Sequence, residues 1–191
     1  MASPGLDGRR RWVLSVLEEY EVPLTRFATR MLHDEHAARD VVQHAFLRLC
    51  GRSAEELHDR VAPWLFTVCR NKAVDVLRGR RRTASLEQME TPDCVGPEPD
   101  PAEAVEMREL HRRLSGLIDG LPSSQRETLG LWSEGFSHRE IAQITERSEG
   151  SVRVLVHRAL KQLRGHPVVR ELFGRPAQPS RLADRETSEF V

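Results

Sequence analysis

Apolar residues recur along this chain every three to four positions, the spacing of one helix face, and no alternating stretch of useful length predicts a strand. Leu24, Phe27, Ala28, Met31 and Leu32 fall at i, i+3, i+4, i+7 and i+8. Pro23 just before them suits a first helical turn, so a helix is predicted to open there. Asp34 is the expected N-cap of a second helix, in which Ala38, Val41, Val42, Ala45, Phe46 and Leu49 repeat the pattern. A third helix is predicted from about Pro63 to Arg78, with Leu65, Val68, Cys69, Ala73, Val76 and Leu77 turned inward.

A break follows. Thr91 to Pro101 reads TPDCVGPEPDP, and four prolines and a glycine in that stretch neither continue a helix nor pair as a strand. Helical patterning then resumes. Asp100, Pro101 and Glu103 have the form of an N-cap, a first-turn proline and a capping-box glutamate, for a helix ending near Gly120. Ser124 with Glu127 is expected to open the next helix, which stops at Gly135. Ser137 with Glu140 opens a third. The turn Glu146-Arg147-Ser148 leads to a last helix from about Glu149 to Arg164. Short helices ending in a tight turn and a longer basic helix outline a helix-turn-helix. The predicted fold is all-α: two small helical domains joined by a flexible linker, the C-terminal one a helix-turn-helix. The expected divisions are 1–82, a linker over 83–100, 101–165, and a polar tail over 166–191.

Charge changes this picture. The chain has 191 residues, and its 29 basic and 29 acidic side chains cancel. The cancellation hides a segregation. Residues 1–82 hold 15 basic and 11 acidic residues, net +4, and residues 121–175 hold 9 and 6, net +3. Residues 83–120 between them hold 3 and 9, net −6. Two candidate anion-binding modules therefore flank an acidic segment. With 39% hydrophobic residues the chain is no disordered polyampholyte. No apolar run approaches the ~20 residues that span a bilayer, so no membrane insertion is expected. No apolar stretch follows the charged Met1–Arg11 segment, so no signal peptide is expected and the chain is assigned to the cytoplasm.

Three cysteines, Cys50, Cys69 and Cys94, are too few and too scattered for a disulfide framework. Cys50 and Cys69 sit in apolar patterns and read as small core residues, and Cys94 reads as an exposed thiol. His33 and His36 lack a third ligand at a metal-binding spacing. No phosphate loop, nucleophile elbow or HExxH appears. The reading is of a protein without enzymatic activity, cofactor, metal or small-molecule substrate.

Three surfaces carry candidate chemistry. On the last helix, Arg153, Val154, His157, Arg158 and Lys161 lie opposite the stripe Val152, Leu155, Val156, Ala159, Leu160 and Leu163, with Ser148 and Ser151 at the N-terminal end. A basic face entered through small polar residues suits the DNA major groove, and Val154 suits a thymine methyl. At the end of the first module, Arg70, Lys72, Arg78, Arg80, Arg81 and Arg82 fall within thirteen residues, opposed by Asp75 alone, which suits phosphate neutralisation. Trp64 and Phe66 just upstream read either as core residues or as platforms for unpaired bases. On the second helix, Asp40, Gln43, His44 and Leu47 face away from the buried stripe, and an outward leucine among polar groups suggests a protein partner.

ARDVVQHAFLRL (38–49), PWLFTVCRNKAVDVLRGRRR (63–82) and LPSSQRETLGLWSEGFSHREIAQITERSEGSVRVLVHRALKQLR (121–164), in this order and with this linker, resemble the extracytoplasmic-function sigma factors of bacterial RNA polymerase. The resemblance implies a subunit that binds core RNA polymerase and promoter DNA. Asp40, Gln43, His44 and Leu47 would meet the polymerase clamp helices. Trp64, Asn71 and Lys72 would open the −10 element, with Arg78, Arg80, Arg81 and Arg82 on its phosphates and the 51–62 loop around a flipped base. Arg147, Ser148, Ser151, Arg153, Val154, His157, Arg158 and Lys161 would meet the −35 element. An anti-sigma factor is a further partner the resemblance implies. His44 replaces a usual acidic residue, and Val154-Leu155 replaces a usual Ser-Arg. Two rival readings account for less of the chain: a stand-alone dimeric helix-turn-helix regulator leaves the first module unused, and a sigma mimic that captures an anti-sigma factor leaves the basic faces unused.

Overall fold

A computed structural model describes residues 4–84 and 112–169. All regular structure among them is helical. The first helix, α1, runs Pro4–Leu32, far longer than the sequence reading placed it, with Pro23 inside it rather than at its start. The reason is visible upstream. Trp12, Val13, Val16, Leu17 and Tyr20 continue the apolar face against the core, so burial outweighs the one backbone donor that Pro23 lacks. The helix ends at His33, which takes a left-handed φ of 52° and donates its N–H to the Thr29 carbonyl.

Helix α2 (Glu35–Cys50) begins as expected, with Asp34 accepting from the Ala37 N–H at 3.0 Å. Its inward stripe of Ala38, Val41, Val42, Ala45, Phe46 and Leu49 is buried. Cys50 falls one position past this stripe and is exposed, correcting its assignment to the core. Cys69 is buried, and burial pushes its thiol up to about 12. The 51–62 segment is not an open loop. It holds a helical turn, α3 (Ala54–Leu57), and a 3-10 turn (His58–Arg60), and from Val61 it is already part of α4 (Val61–Ala84).

In the C-terminal part, residues 112–119 (α5) are followed by α6 (Ser123–Ser133), α7 (His138–Thr145) and α8 (Glu149–Gly165). The Ser137–Glu140 capping box forms in both directions. Ser148 caps α8 through the Ser151 N–H. The expected Ser124–Glu127 cap does not form: Pro122 is the N-cap residue of α6 and makes no side-chain cap bond, and Glu127 turns inward. The predicted start of the preceding helix at Asp100, most of the linker, Cys94 and most of the tail lie outside the described residues.

The two parts pack on each other. The larger of two apolar clusters among the described residues runs from Leu24, Phe27 and Leu65 through Phe66 to Phe136, Ile141, Ile144 and Val152, and a smaller one joins Leu121, Leu129 and Ala159. Phe66 of α4 is the junction: its ring lies 5.4 Å from Phe27 and meets Phe136 edge-on at 4.8 Å. Of the two readings open for Phe66, the structure bears out the core one, since a ring 1% exposed has no open face for a base.

Candidate polymerase and nucleic-acid interfaces

The outer face of α2 matches the periodicity. Asp40, Gln43 and Leu47 are exposed and His44 is half-buried, while the residues between them lock α2 into the core. Leu47 is 66% exposed, among the most exposed large apolar side chains described. It forms the apolar centre of a polar stripe on a rigid helix, the arrangement that suits a protein partner.

Helix α4 distributes its basic residues unequally. Arg78 and Arg82 are exposed, Arg78 beside Asp75 at 3.6 Å. Arg80 is engaged internally: Nη2 donates to Asp34 Oδ2 at 2.5 Å and Nη1 to the Leu32 carbonyl at 3.1 Å. Arg80, expected from the sequence on promoter phosphate, here ties α4 to the α1–α2 corner. The Asp34 carboxyl is held below the usual carboxylate range, first by the Ala37 N–H and then by Arg80, with burial opposing. The Arg81 side chain lies outside the described residues. Asn71 is exposed, its Oδ1 accepting from Arg70 Nη1 at 3.2 Å, and Lys72 is half-buried. Trp64 is half-buried against the core, with the Arg52 guanidinium 6.0 Å from its ring centre.

Helix α8 presents the expected basic face. Val152, Val156 and Ala159 are buried, while Arg153, Val154, His157, Arg158 and Lys161 point to solvent. Val154 is 47% exposed despite being apolar. Arg153 Nη2 donates to Glu149 Oε1 one turn earlier at 3.0 Å. The hydroxyls of Ser148 and Ser151 bond each other at 2.7 Å at the helix N-terminus. Helix α7 stands in front of this end, and its C-cap Glu146 adopts the left-handed conformation (φ 56°, ψ 39°) that makes the tight turn.

Arg147 stands apart from the other α8 candidates. Its Nη2 donates to Glu127 Oε2 at 3.3 Å, so its guanidinium faces α6 rather than solvent beyond α8. Glu127, Glu134, Arg26 and Arg30 were not read as functional from the sequence. The available signals were an acidic pair seven residues apart, Glu127 on α6 and Glu134 just past its end, and a basic pair one turn apart on α1. No group of three or more His, Cys, Asp or Glu side chains is arranged as metal ligands among the described residues. No described helix is long and apolar enough to cross a membrane.

Comparison with known proteins matches both halves. The family model for Sigma-70 region 2 matches residues 16–83, and that for Sigma-70, region 4 matches residues 111–163. The ECF RNA polymerase sigma factor SigM of Bacillus subtilis is 28% identical over 155 residues, covering 78% of this chain and 91% of that protein. RNA polymerase sigma factor CarQ of Myxococcus xanthus is 33% identical over 144 residues, covering 72% and 79%. ECF RNA polymerase sigma factor SigL of Mycobacterium tuberculosis is 31% identical over 157 residues, covering 78% and 85%. In fold, the chain is similar to the sigma factor RpoE solved in complex with the anti-sigma factor NepR from Bartonella quintana, at a TM-score of 0.64 and 22% identity, covering 88% of this chain and 98% of that one.

Proposed function

Because the chain belongs to the extracytoplasmic-function sigma factors, which bind core RNA polymerase and direct promoter-specific initiation, we propose that its two helical domains divide that task between named surfaces. Residues 1–82 form the polymerase-binding and −10 domain, 83–100 the linker, 101–165 the −35 domain and 166–191 a tail. Asp40, Gln43, His44 and Leu47 dock on the polymerase. Trp64, Asn71 and Lys72 hold the opened −10 element, and Arg78 and Arg82 contact its phosphates. Ser148, Ser151, Arg153, Val154, His157, Arg158 and Lys161 meet the −35 element in the major groove. The protein acts in the cytoplasm, has no catalytic activity of its own, and is a target for an anti-sigma factor.

The observation that carries this reading is the α8 face. A Ser-capped N-terminus leads into a row of exposed basic side chains whose opposite side is buried, so the row is fixed in direction. Such a helix brings base-contacting residues to the groove while its arginines neutralise phosphate. Linking two elements through one chain makes the second contact intramolecular once the first has formed.

Run-off transcription with purified core polymerase, on DNA upstream of the protein's own gene, tests the reading. A transcript that depends on added protein is expected. If the protein neither yields a transcript nor co-sediments with core, the reading fails, and a palindromic footprint without polymerase would favour the dimeric regulator.

A further inference from the structure

Beside the C-terminal half of α1, helices α4 and α6 leave a cleft of about 410 Å³, a volume that suits a small organic molecule. Its floor is apolar, made by Phe27 and Met31 of α1 and by Val74 and Leu77 of α4. Its rim is basic. Arg30, Arg70, Arg78, Arg126 and Arg147 border the cleft, and Glu127 is the one carboxylate among its bordering residues.

These guanidinium groups are unequally neutralised. Arg70 is held closely, its Nε donating to Glu127 Oε1 at 2.6 Å. The other four reach carboxylates at longer range. Arg147 lies 3.3 Å from Glu127 Oε2, Arg30 3.6 Å from Glu134, Arg78 3.6 Å from Asp75 and Arg126 3.7 Å from Asp119. Arg126 also faces His33, a second basic group. Burial pushes the Arg30 guanidinium below its usual range, with Glu134 opposing and the charge of Arg26 adding to the shift. Each guanidinium offers five donors, so the donors on this rim exceed the carboxylate oxygens within their reach.

A ligand that satisfies both parts is an anion on an apolar body. A phosphate monoester suits the rim better than a carboxylate does, since three terminal oxygens can accept from forks on more than one helix. An aromatic or short acyl body suits the floor. Nucleic acid accounts for the arginines but leaves the recessed apolar floor unused. We propose that this cleft is a binding site for a small phosphate monoester, with Arg30 and Arg126 on the phosphate and Phe27, Met31, Val74 and Leu77 around its apolar body. Arg78 connects the site to transcription. The guanidinium assigned to −10 phosphates also borders the cleft, so a bound ligand competes for it. That consequence rests on the sigma-factor assignment, whereas the binding itself does not.

1-Naphthyl phosphate carries both parts and serves as the probe. Titrated calorimetrically into the full chain, it should bind at least tenfold more tightly than inorganic phosphate and at least tenfold more tightly than 1-naphthol. Equal affinity for either fragment overturns the proposal, because only one half of the cleft would then contribute. Val74→Trp fills the floor and Arg30→Gln removes one charge from the rim. Each should weaken binding at least tenfold, with thermal melts of the ligand-free variants taken alongside. If Val74→Trp melts early, Arg30→Gln decides, since the Arg30 side chain is 31% exposed and its replacement leaves the apolar floor intact. Undiminished binding by a folded variant overturns the proposal.

The competition for Arg78 has its own readout. Saturating 1-naphthyl phosphate should lower run-off transcription at least threefold with the parent chain and leave Arg30→Gln near its own ligand-free level. An equal fall in both overturns the link to Arg78. Absence of any transcript before ligand is added counts against the sigma-factor assignment, and the calorimetric result then decides the site alone.

Discussion

Asp34 is bonded in two directions: its Oδ1 accepts from the first turn of α2 and its Oδ2 receives Arg80 from the far end of α4, 46 residues away. One carboxylate thus fixes both a helix start and a helix crossing. Its pKa is lowered in the folded chain, first by the Ala37 N–H. A lowered folded pKa means the contribution is complete above the unfolded value, near 4, and is lost as pH falls through the folded value. Asp34→Ala should therefore cost about 1–2 kcal/mol at neutral pH. Asp34→Asn should flatten the acid limb of a stability curve measured by urea unfolding between pH 6 and pH 2.

Arg80 and Arg82 sit two residues apart and should behave differently. Arg80 is bonded inside the domain while Arg82 is exposed. Arg82→Ala should weaken promoter opening and lower the slope of log affinity against log salt by about 1, with an unchanged melting temperature. Arg80→Ala should lower the melting temperature and leave the salt slope near that of the parent. Fluorescence-monitored opening across a salt series, beside thermal melts, checks both.

Leu47 makes a contrasting prediction. Its exposure means that Leu47→Asp should change stability by no more than about 0.5 kcal/mol. Core polymerase binding, measured by co-sedimentation or fluorescence anisotropy, should fall at least about tenfold. A variant that melts early would place Leu47 in a packed environment and contradict the helical phase of α2.

How far the sequence leads depends on the range of the interaction. The α2 and α8 faces were legible because 3.6-residue periodicity is local: each turn repeats the same choice between core and water. The Ser137–Glu140 box was legible for the same reason, its two bonds closing within three residues. Glu127 was misread by the same local rule, since Ser124 and Glu127 have capping-box spacing. Only the approach of Arg70, 57 residues earlier, reveals why the carboxylate turns inward. The first half of α1 was overlooked because Pro23 suggested a boundary, although the apolar spacing from Trp12 to Tyr20 already ran through it. The contact between domains left no periodic trace, as complementary pairs on α1 and α6 do not announce each other across a hundred residues.

Trp64 and Phe66 illustrate how burial separates two aromatic neighbours. Phe66→Ala removes a ring that contacts both Phe27 and Phe136 and should cost about 3–5 kcal/mol. Trp64→Ala removes a half-buried ring and should cost less, while slowing promoter opening in the holoenzyme. Thermal melts paired with opening kinetics distinguish the two. A Trp64 variant that opens promoters at the parental rate would return that residue to a purely structural role.

The position of Phe66 also bears on how the chain fares when divided. Its ring is shielded on one side by Phe27 and on the other by Phe136, whose host segment lies beyond the linker. A fragment ending near Ala84 keeps the first neighbour and loses the second, so it carries a bare aromatic edge, and the complementary fragment carries Phe136 uncovered. Each piece would then be prone to self-association and to proteolysis. In the intact chain each edge stays covered only while the two parts remain packed on each other.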